Sequence, residues 1–260
     1  MKLSEFGRLH TESLDAAGIL TFDIETIPAK FEVETYQQGQ RWLGHKNIVR
    51  PGEMLSWSAK WYHEPHQVRH MNVTEPGMLE GLWELLDQAS YVVGWNSDNF
   101  DLKKVRGYFL RGGLPPFRPA KSIDLIRTAR SFGLESAALD YVARTLDLPH
   151  KKSDGSILTD WKAVVAGDKD AAKLLRFYNN QDVRVTEDAF DMLRPWIKNH
   201  PAIGYPSDDS LRCPRCGSAD VHDCGAFQAQ VIRYRQYRCL SCTGLFRTAF
   251  LSRVTSARSV

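Results

Sequence analysis

Asp23 and Glu25 stand two apart in Ile-Leu-Thr-Phe-Asp-Ile-Glu-Thr, residues 19–26. The run reads as a buried strand with two acids set into it. Side chains alternate along a strand, so both carboxylates point to one face and Phe22 and Ile24 to the other. One carboxylate buried without a partner is costly, and two side by side add repulsion. A divalent cation between them removes both penalties, so the pair is a candidate metal site. On an edge strand the same acids would simply face water.

Two further acids stand where partners would be needed. Gly94-Trp-Asn-Ser-Asp-Asn-Phe-Asp101 joins the end of a short apolar strand, 91–94, to a helix over 100–111. Ligands of open α/β sheets gather off the carboxyl ends of strands, and Asp101 falls in a first helical turn, where negative charge is favoured. Helix capping by Asp98 or Asn99 is the alternative. Tyr178-Asn-Asn-Gln-Asp182 lies in the longest helix, 168–194, with Asp168 as N-cap. Tyr178 and Asp182 share a face with Ala171, Leu174, Leu175, Val185 and Ala189, an inward-facing set. A buried Asp there needs a partner, whether a metal, a backbone group or an Arg.

Taken together, Asp23-x-Glu25, then Asn96-x-x-x-Phe100-Asp101, then Tyr178-x-x-x-Asp182 resemble the DEDD superfamily of 3′→5′ exonucleases, in its tyrosine subgroup. The second motif looks most like the proofreading domain of family B DNA polymerases and their stand-alone, often virus-encoded relatives. The likeness spans residues 19–195 and includes Asp124-Leu125 with Arg127, Ala129 and Arg130. It implies an RNase H-like fold and two Mg²⁺ or Mn²⁺ ions. Asp23 would bridge them, Glu25 and Asp182 would hold the ion bearing the nucleophilic water, Asp101 would serve the other, and Tyr178 would orient that water. Ions about 3.5–4 Å apart suit in-line phosphoryl displacement, and all-oxygen ligands suit hard cations. The implied activity is release of nucleoside 5′-monophosphates from single-stranded or frayed 3′ ends of DNA, in replication or repair. An exoribonuclease and a nuclease fold used as a nucleic-acid-binding adaptor are the alternatives. No polymerase sequence follows, so a separate polymerase or other replication protein is the expected partner. Near the site, Asn96 and Trp95 are candidates for the terminal nucleotide, by hydrogen bond and stacking, and Lys152 for phosphate. Core packing is the competing role for Trp95, and a solvated charge for Lys152. Asp124 reads as structural.

The cysteines form a second constellation. Cys213-Pro-Arg-Cys216-Gly and Cys239-Leu-Ser-Cys242 are two Cys-x-x-Cys knuckles, and they hold four of the chain's five cysteines. The spacing fits a structural four-Cys Zn²⁺ site and resembles a zinc ribbon. The second knuckle is shifted, with Thr243 before Gly244. Cys224 and His222 are spares that could replace a knuckle ligand. Between the knuckles, Val231-Ile-Arg-Tyr-Arg-Gln-Tyr-Arg238 interleaves Arg and Tyr, with Arg233, Arg235 and Tyr237 on one face and Tyr234 and Arg238 on the other. Arg233 and Arg235 are the candidates for nucleic-acid contact; a solvated ribbon strand is the alternative.

The elements that must position these groups follow from periodicity. Strands are expected at 19–26, 54–62, 67–73, 91–94 and 122–125, and helices at 78–88, 100–111, 136–146 and 168–194. Strands come first and then alternate with helices, which predicts a mixed α/β sheet flanked by helices, with a small C-terminal β unit; the resemblance implies that the sheet is RNase H-like. The expected division is 1–200 nuclease domain, 201–210 linker, 211–250 zinc ribbon and 251–260 tail. Residues 211–260 hold eight Arg against two Asp, a net +6 on a chain whose total is +3, so a polyanion is expected at that end. The polar residues 1–15, the absence of a membrane-length apolar run and the clustering of cysteine lead to the expectation of an intracellular chain away from membranes, and the resemblance makes the expected place the cytoplasm of a bacterial or phage-infected cell.

Overall fold

The computed structural model describes residues 12–31, 44–151, 160–204, 210–229 and 232–253. In chain order the elements are α1 (Glu12–Asp15), β1 (Ile19–Ile27), β2 (Lys30–Phe31), β3 (Ile48–Arg50), β4 (Glu53–Trp61), β5 (Arg69–Asn72), α2 (Met78–Gln88) and β6 (Tyr91–Gly94). Then come α3 (Asp101–Arg111), β7 (Lys121–Asp124), α4 (Leu125–Ala129), α5 (Leu139–Thr145), α6 (Trp161–Val165), α7 (Lys169–Leu193), β8 (Val221–Gln228), β9 (Ile232–Cys239) and β10 (Leu245–Arg253).

The main sheet has the order β5-β4-β1-β6-β7. β4 and β5 run antiparallel to their neighbours, and β1, β6 and β7 run parallel. Helices cover both faces, which is the mixed architecture expected from the sequence. On one face Phe22, Ile24, Trp57, Ala59 and Trp61 pack against α2 and α3. On the other, Ile19, Tyr62, Val93 and Ile123 pack against α5 and α7. Alternation therefore turns Asp23 and Glu25 toward α7.

Two boundaries differ from expectation for local reasons. Leu125 does not extend β7. The Asp124 carboxylate accepts the Ile126 N–H and opens α4 instead. The helix expected at 136–146 begins only at Leu139, because the Ser136 hydroxyl accepts the Ala138 N–H and holds that stretch in a turn. Periodicity gives no sign of α6; Asp160 caps it through the N–H groups of Lys162 and Ala163. α7 matches its expected span, with the Asp168 carboxylate accepting from Asp170 and Ala171. Leu174 faces outward, against expectation. Neighbouring positions on a helix are about 100° apart, and Leu175 takes the inward direction.

The contact between α7 and β4 is polar along its length. Ser56 bonds Asn179, Ser58 bonds Asn180, Lys60 bonds Glu187, and Tyr62, just beyond β4, bonds Asp191. Every second residue of the strand thus meets the helix, at Asn179 and Asn180 in one turn and at Glu187 and Asp191 further along. Lys60 Nζ donates to both Glu187 oxygens at 2.7 Å, and both side chains are almost wholly buried.

Beyond α7, the three-stranded sheet β10-β9-β8 and its two knuckles lie against the C-terminal end of that helix. Arg215 is the joint. Its guanidinium donates to the carbonyls of Arg194 (2.7 Å) and Ile197 (2.9 Å). Gly204 meets the first knuckle so closely that a Cβ there would stand 2.1 Å from Gly217 N. No helix of the described residues is long and apolar enough to cross a membrane.

The buried ion pair gives a stability test. Lys60→Met removes the donor that meets both oxygens of a buried carboxylate and should lower the unfolding free energy by about 3–5 kcal/mol in urea denaturation. The double variant Lys60→Met/Glu187→Leu should recover most of that loss. A single variant as stable as wild type would show that Glu187 reaches another donor.

Candidate active site and cysteine cluster

β1 lies between β4 and β6, so its inward acids stand in the middle of the sheet. Asp23 is level with Ser58 and Glu25 with Ser56 on β4. α7 crosses above them and presents Asp182, with Tyr178 one turn earlier; both are buried. One carboxylate oxygen each from Asp23, Glu25 and Asp182 lies within 4.8 Å of the other two. Three carboxylates at that separation, offering only oxygen, fit a hard divalent cation such as Mg²⁺ or Mn²⁺.

Asn179 holds this arrangement together, a role that its sequence context alone does not single out. Its side chain is fully buried. Nδ2 donates to Asp23 Oδ2 at 2.7 Å, while Oδ1 accepts from Ser56 Oγ at 3.1 Å. The amide thus ties the Asp23 carboxylate to both α7 and β4. A signal is present: Asn179 is three residues before Asp182, on the same helical face, opposite a strand whose alternate positions are Ser56 and Ser58. Ser58 Oγ donates to Asn180 Oδ1 (2.8 Å) and lies 3.0 Å from His70 Nδ1. Burial, with the Arg176 charge, lowers His70 to about 4, so that ring is neutral at neutral pH.

Asp101 approaches from the opposite side of β1. β6 pairs with β1 only as far as Thr21, and the Asp101 carboxylate accepts the Ile24 N–H at 3.2 Å, beyond that pairing. The turn leading there needs Gly94, where a Cβ would lie 2.4 Å from the Ser97 Cβ. Asp101 stands outside the 4.8 Å group. Burial raises its pKa to about 6, against the Ile24 hydrogen bond, with the Asp124 charge adding to the rise. Asp124 accepts from the N–H groups of Asn96, Asp98 and Ile126. It therefore pins the 95–100 loop, in keeping with a structural role. Asp98 does not cap α3; it takes Ser122 Oγ and the Arg127 guanidinium.

The candidate substrate contacts fare differently. Asn96 sits on the loop beside Asp101 in the left-handed region, φ 63°. Trp95 is half-buried against the core, and its indole donates to the Ala137 carbonyl at 3.1 Å, so packing holds the ring. Lys152 lies outside the described residues. Arg233 and Arg235 are on β9 of the ribbon, away from the carboxylates in sequence and in sheet. Arg235 is paired with Asp223.

The four knuckle cysteines are reduced and buried, with sulfurs within 4.8 Å of one another. Cys213 and Cys242 sulfurs are 3.6 Å apart, and those of Cys216 and Cys239 are 3.7 Å apart. A tetrahedral ion with metal–sulfur bonds of about 2.3 Å requires edges of roughly 3.8 Å, so the set fits Zn²⁺. Cys224 and His222 are exposed and outside the group. The shifted second knuckle has a physical reason. Thr243 adopts the left-handed φ (60°) that Gly217 adopts in the first knuckle (76°). Gly244 is needed because the Arg215 side chain passes over it, and a Cβ there would stand 2.7 Å from Arg215 Cδ.

Residues 53–194, more than half the chain, match the RNase H superfamily; the match begins at β4, so Asp23 and Glu25 precede it. No curated protein matches the sequence. Among solved structures, the family B DNA polymerase of the hyperthermophilic archaeon Pyrobaculum calidifontis is similar, with a TM-score of 0.47 and 16% sequence identity. The likeness covers 68% of this chain and 24% of the polymerase, so the chain spans about a quarter of that protein's length.

Two expectations follow from the geometry. Asn179→Ala should weaken Mn²⁺ binding by roughly 10–100-fold in isothermal titration, the usual effect of losing a group that orients a ligand. Asn180→Ala should bind nearly as wild type; equal losses would make the effect one of packing. For Asp101 the folded pKa is raised above its ordinary value of 3.8. The penalty for ionising it is therefore absent below that pH, grows as pH rises, and is complete above about 6. With a chelator present, Asp101→Asn should stabilise the protein by up to about 3 kcal/mol at pH 7.5 and change little below the ordinary carboxyl pKa, as read by urea denaturation. Destabilisation at pH 7.5 would mean that the ionised form is favoured.

Proposed function

Since the chain belongs to the RNase H superfamily, we propose that it is a metal-dependent 3′→5′ exonuclease of the DEDD tyrosine subgroup, acting on single-stranded or frayed 3′ ends of DNA. The observation that carries this reading is the convergence of Asp23, Glu25 and Asp182 within 4.8 Å, with Tyr178 one turn from Asp182. The order of the three motifs along the chain supports the direction of attack.

Asp23, Glu25 and Asp182 would hold divalent ions, with Asp101 completing the set from the far side of β1. Ions bound there supply charge stabilisation to the attacking and leaving oxygens of a phosphodiester in line. Asn179 keeps the Asp23 carboxylate turned into the cluster. Tyr178 would orient the attacking water by its hydroxyl. Asp124, through its three backbone contacts, holds the loop of Asn96, and Asn96 would meet the terminal nucleotide. Residues 1–200 would form the nuclease domain and 211–250 a zinc ribbon that adds to the hold on substrate. Between them, 201–210 would be the linker. The reading extends to a stand-alone, phage-encoded enzyme of the cytoplasm that serves replication or repair beside a separate polymerase.

Single strands labelled at the 3′ or the 5′ end, as DNA and as RNA, test the reading with and without Mg²⁺. The expected result is Mg²⁺-dependent release of nucleoside 5′-monophosphates from the 3′ end of DNA, abolished in Asp23→Asn and in Asp182→Asn. Wild-type rates in either variant, or efficient cutting of a closed circle, would sink the assignment. Preference for RNA would keep the chemistry and change the substrate.

A further inference from the structure

The sequence offers Arg233 and Arg235 as the ribbon's contacts to nucleic acid. The structure favours the other face of the sheet. Arg235 is held by Asp223, and Asp223 sits opposite Tyr237 on the face that Arg235 shares. Tyr237 itself stacks on Phe246, ring centres 5.6 Å apart, and packs toward the cysteine core. The opposite face is built from Tyr234, Gln236 and Arg238 of β9, alternating along the central strand. Phe227 pairs with Tyr234 from β8, and Arg247 with Gln236 from β10. The Arg247 guanidinium carbon lies 3.4 Å from the Phe227 ring centre and 5.9 Å from that of Tyr234.

That packing has a chemical consequence. A guanidinium lying on an aromatic face keeps its N–H edge free and is already ordered, which is how Arg best meets a phosphate. Phe227 and Tyr234 remain half-exposed, and Arg238 and Arg247 exposed. The ribbon's two acids are Asp220 and Asp223, and Asp223 is drawn to Arg235 on the other face. Flat aromatic rings with pre-ordered arginines match the faces of bases and the phosphates between them. The ribbon is also fixed in place: Arg215 anchors it at Arg194 and Ile197. Asp182 and Arg194 are twelve residues apart on one helical axis, about 18 Å. A strand with its end at the carboxylates reaches the ribbon only if it is several nucleotides long.

Resting on the nuclease reading above, we propose that the ribbon face bearing Phe227, Tyr234, Arg238 and Arg247 grips the single-stranded part of the nucleic acid, upstream of the end being processed. It acts by base stacking and phosphate contact and makes affinity depend on strand length.

The full-length protein with its zinc serves for the test. Binding of fluorescein-labelled oligo(dT) of four and of thirty nucleotides is measured by anisotropy, in an Asp182→Asn background to prevent turnover. Turnover of the four-nucleotide strand is measured in the otherwise native chain. Arg247→Gln and Tyr234→Leu, each with zinc content checked, should weaken binding of the long strand by roughly 5–100-fold, the range set by loss of a stacked base. Binding and turnover of the short strand should stay at the wild-type level. Arg247→Gln should also flatten the salt dependence by a slope of about 0.7 for the phosphate no longer neutralised. Irradiation of the wild-type protein with an iododeoxyuridine-substituted long strand should leave adducts on Tyr234 or Phe227. Wild-type affinity for the long strand in both variants, equal losses for both lengths, or adducts confined to the Arg233 and Arg235 face would overturn the proposal. If those results came with normal strand hydrolysis, the nuclease assignment would survive. Length-dependent binding through Tyr234 in a protein that hydrolyses no strand would overturn the nuclease assignment and leave the grip.

Discussion

The closeness of like charges between β1 and α7 is the constraint on which the molecule depends. Asp23, Glu25 and Asp182 come within 4.8 Å of one another, and without compensation that closeness repels. The fold supplies part of the compensation through neutral dipoles. Asn179 donates to Asp23 and accepts from Ser56, so a carboxylate in the sheet is joined to the helix above by an amide. The rest of the α7–β4 seam repeats the pattern with Ser58, Lys60 and Tyr62. An apolar seam would let α7 slide with little penalty. A seam of matched donors and acceptors fixes its register, because each slip leaves buried polar groups unmet. Asp182 faces Asp23 and Glu25 because that register is held at Glu187 and Asp191 as well.

Much of this is legible in the sequence, and the reason is periodicity. β1, α2, β6 and α7 carry long or unambiguous patterns, and the inward direction of Asp23, Glu25, Tyr178 and Asp182 follows from those alone. What is not legible depends on partners distant in the chain. Asn179 reads as one polar residue among four until Ser56 is known to lie opposite it. The polar positions of β4 look like an ordinary solvent-facing alternation, yet Ser56, Ser58 and Lys60 are buried. Periodicity misplaces Leu125 and the stretch 136–138 because short-range effects, a capping carboxylate and a serine turn, compete with it and win over a few residues. Leu174 reads as inward by hydrophobicity alone, where the angular step between neighbours allows only one of the pair.

The cysteine unit shows a different limit. The spacing of the knuckles points to four ligands, and the sulfurs are grouped accordingly. Its docking is not readable, because the polar anchor is one residue inside the first knuckle, Arg215, joined by the close approach of Gly204, far from any periodic pattern. Arg215 crosses Gly244 of the second knuckle and reaches the backbone at the end of α7. The second knuckle's Thr-Gly order looks irregular in sequence. It follows from this crossing, since the glycine is placed where the arginine passes and the threonine takes the left-handed turn. Arg194 completes the joint. Its guanidinium is wholly buried, lies against the rings of Phe190 and Tyr62, and pairs with Asp191.

One helix thus connects two sites of opposite chemical character. Hard oxygen donors gather midway along α7, and soft sulfur donors gather beyond its C-terminal end. The two sets do not compete for the same ion, since carboxylates favour Mg²⁺ or Mn²⁺ and thiolates favour Zn²⁺. They also depend on different parts of the fold. The carboxylates are positioned by the seam with β4 and by the Ile24 contact of Asp101, none of which involves the knuckles. The knuckles meet the body at Arg194, Ile197 and Gly204, beyond the last turn of α7. A rigid helix transmits position between the two without sharing a ligand. The C-terminal sheet is held at the end of α7 by the Arg215 contacts, by the close approach of Gly204 and by a shared apolar core.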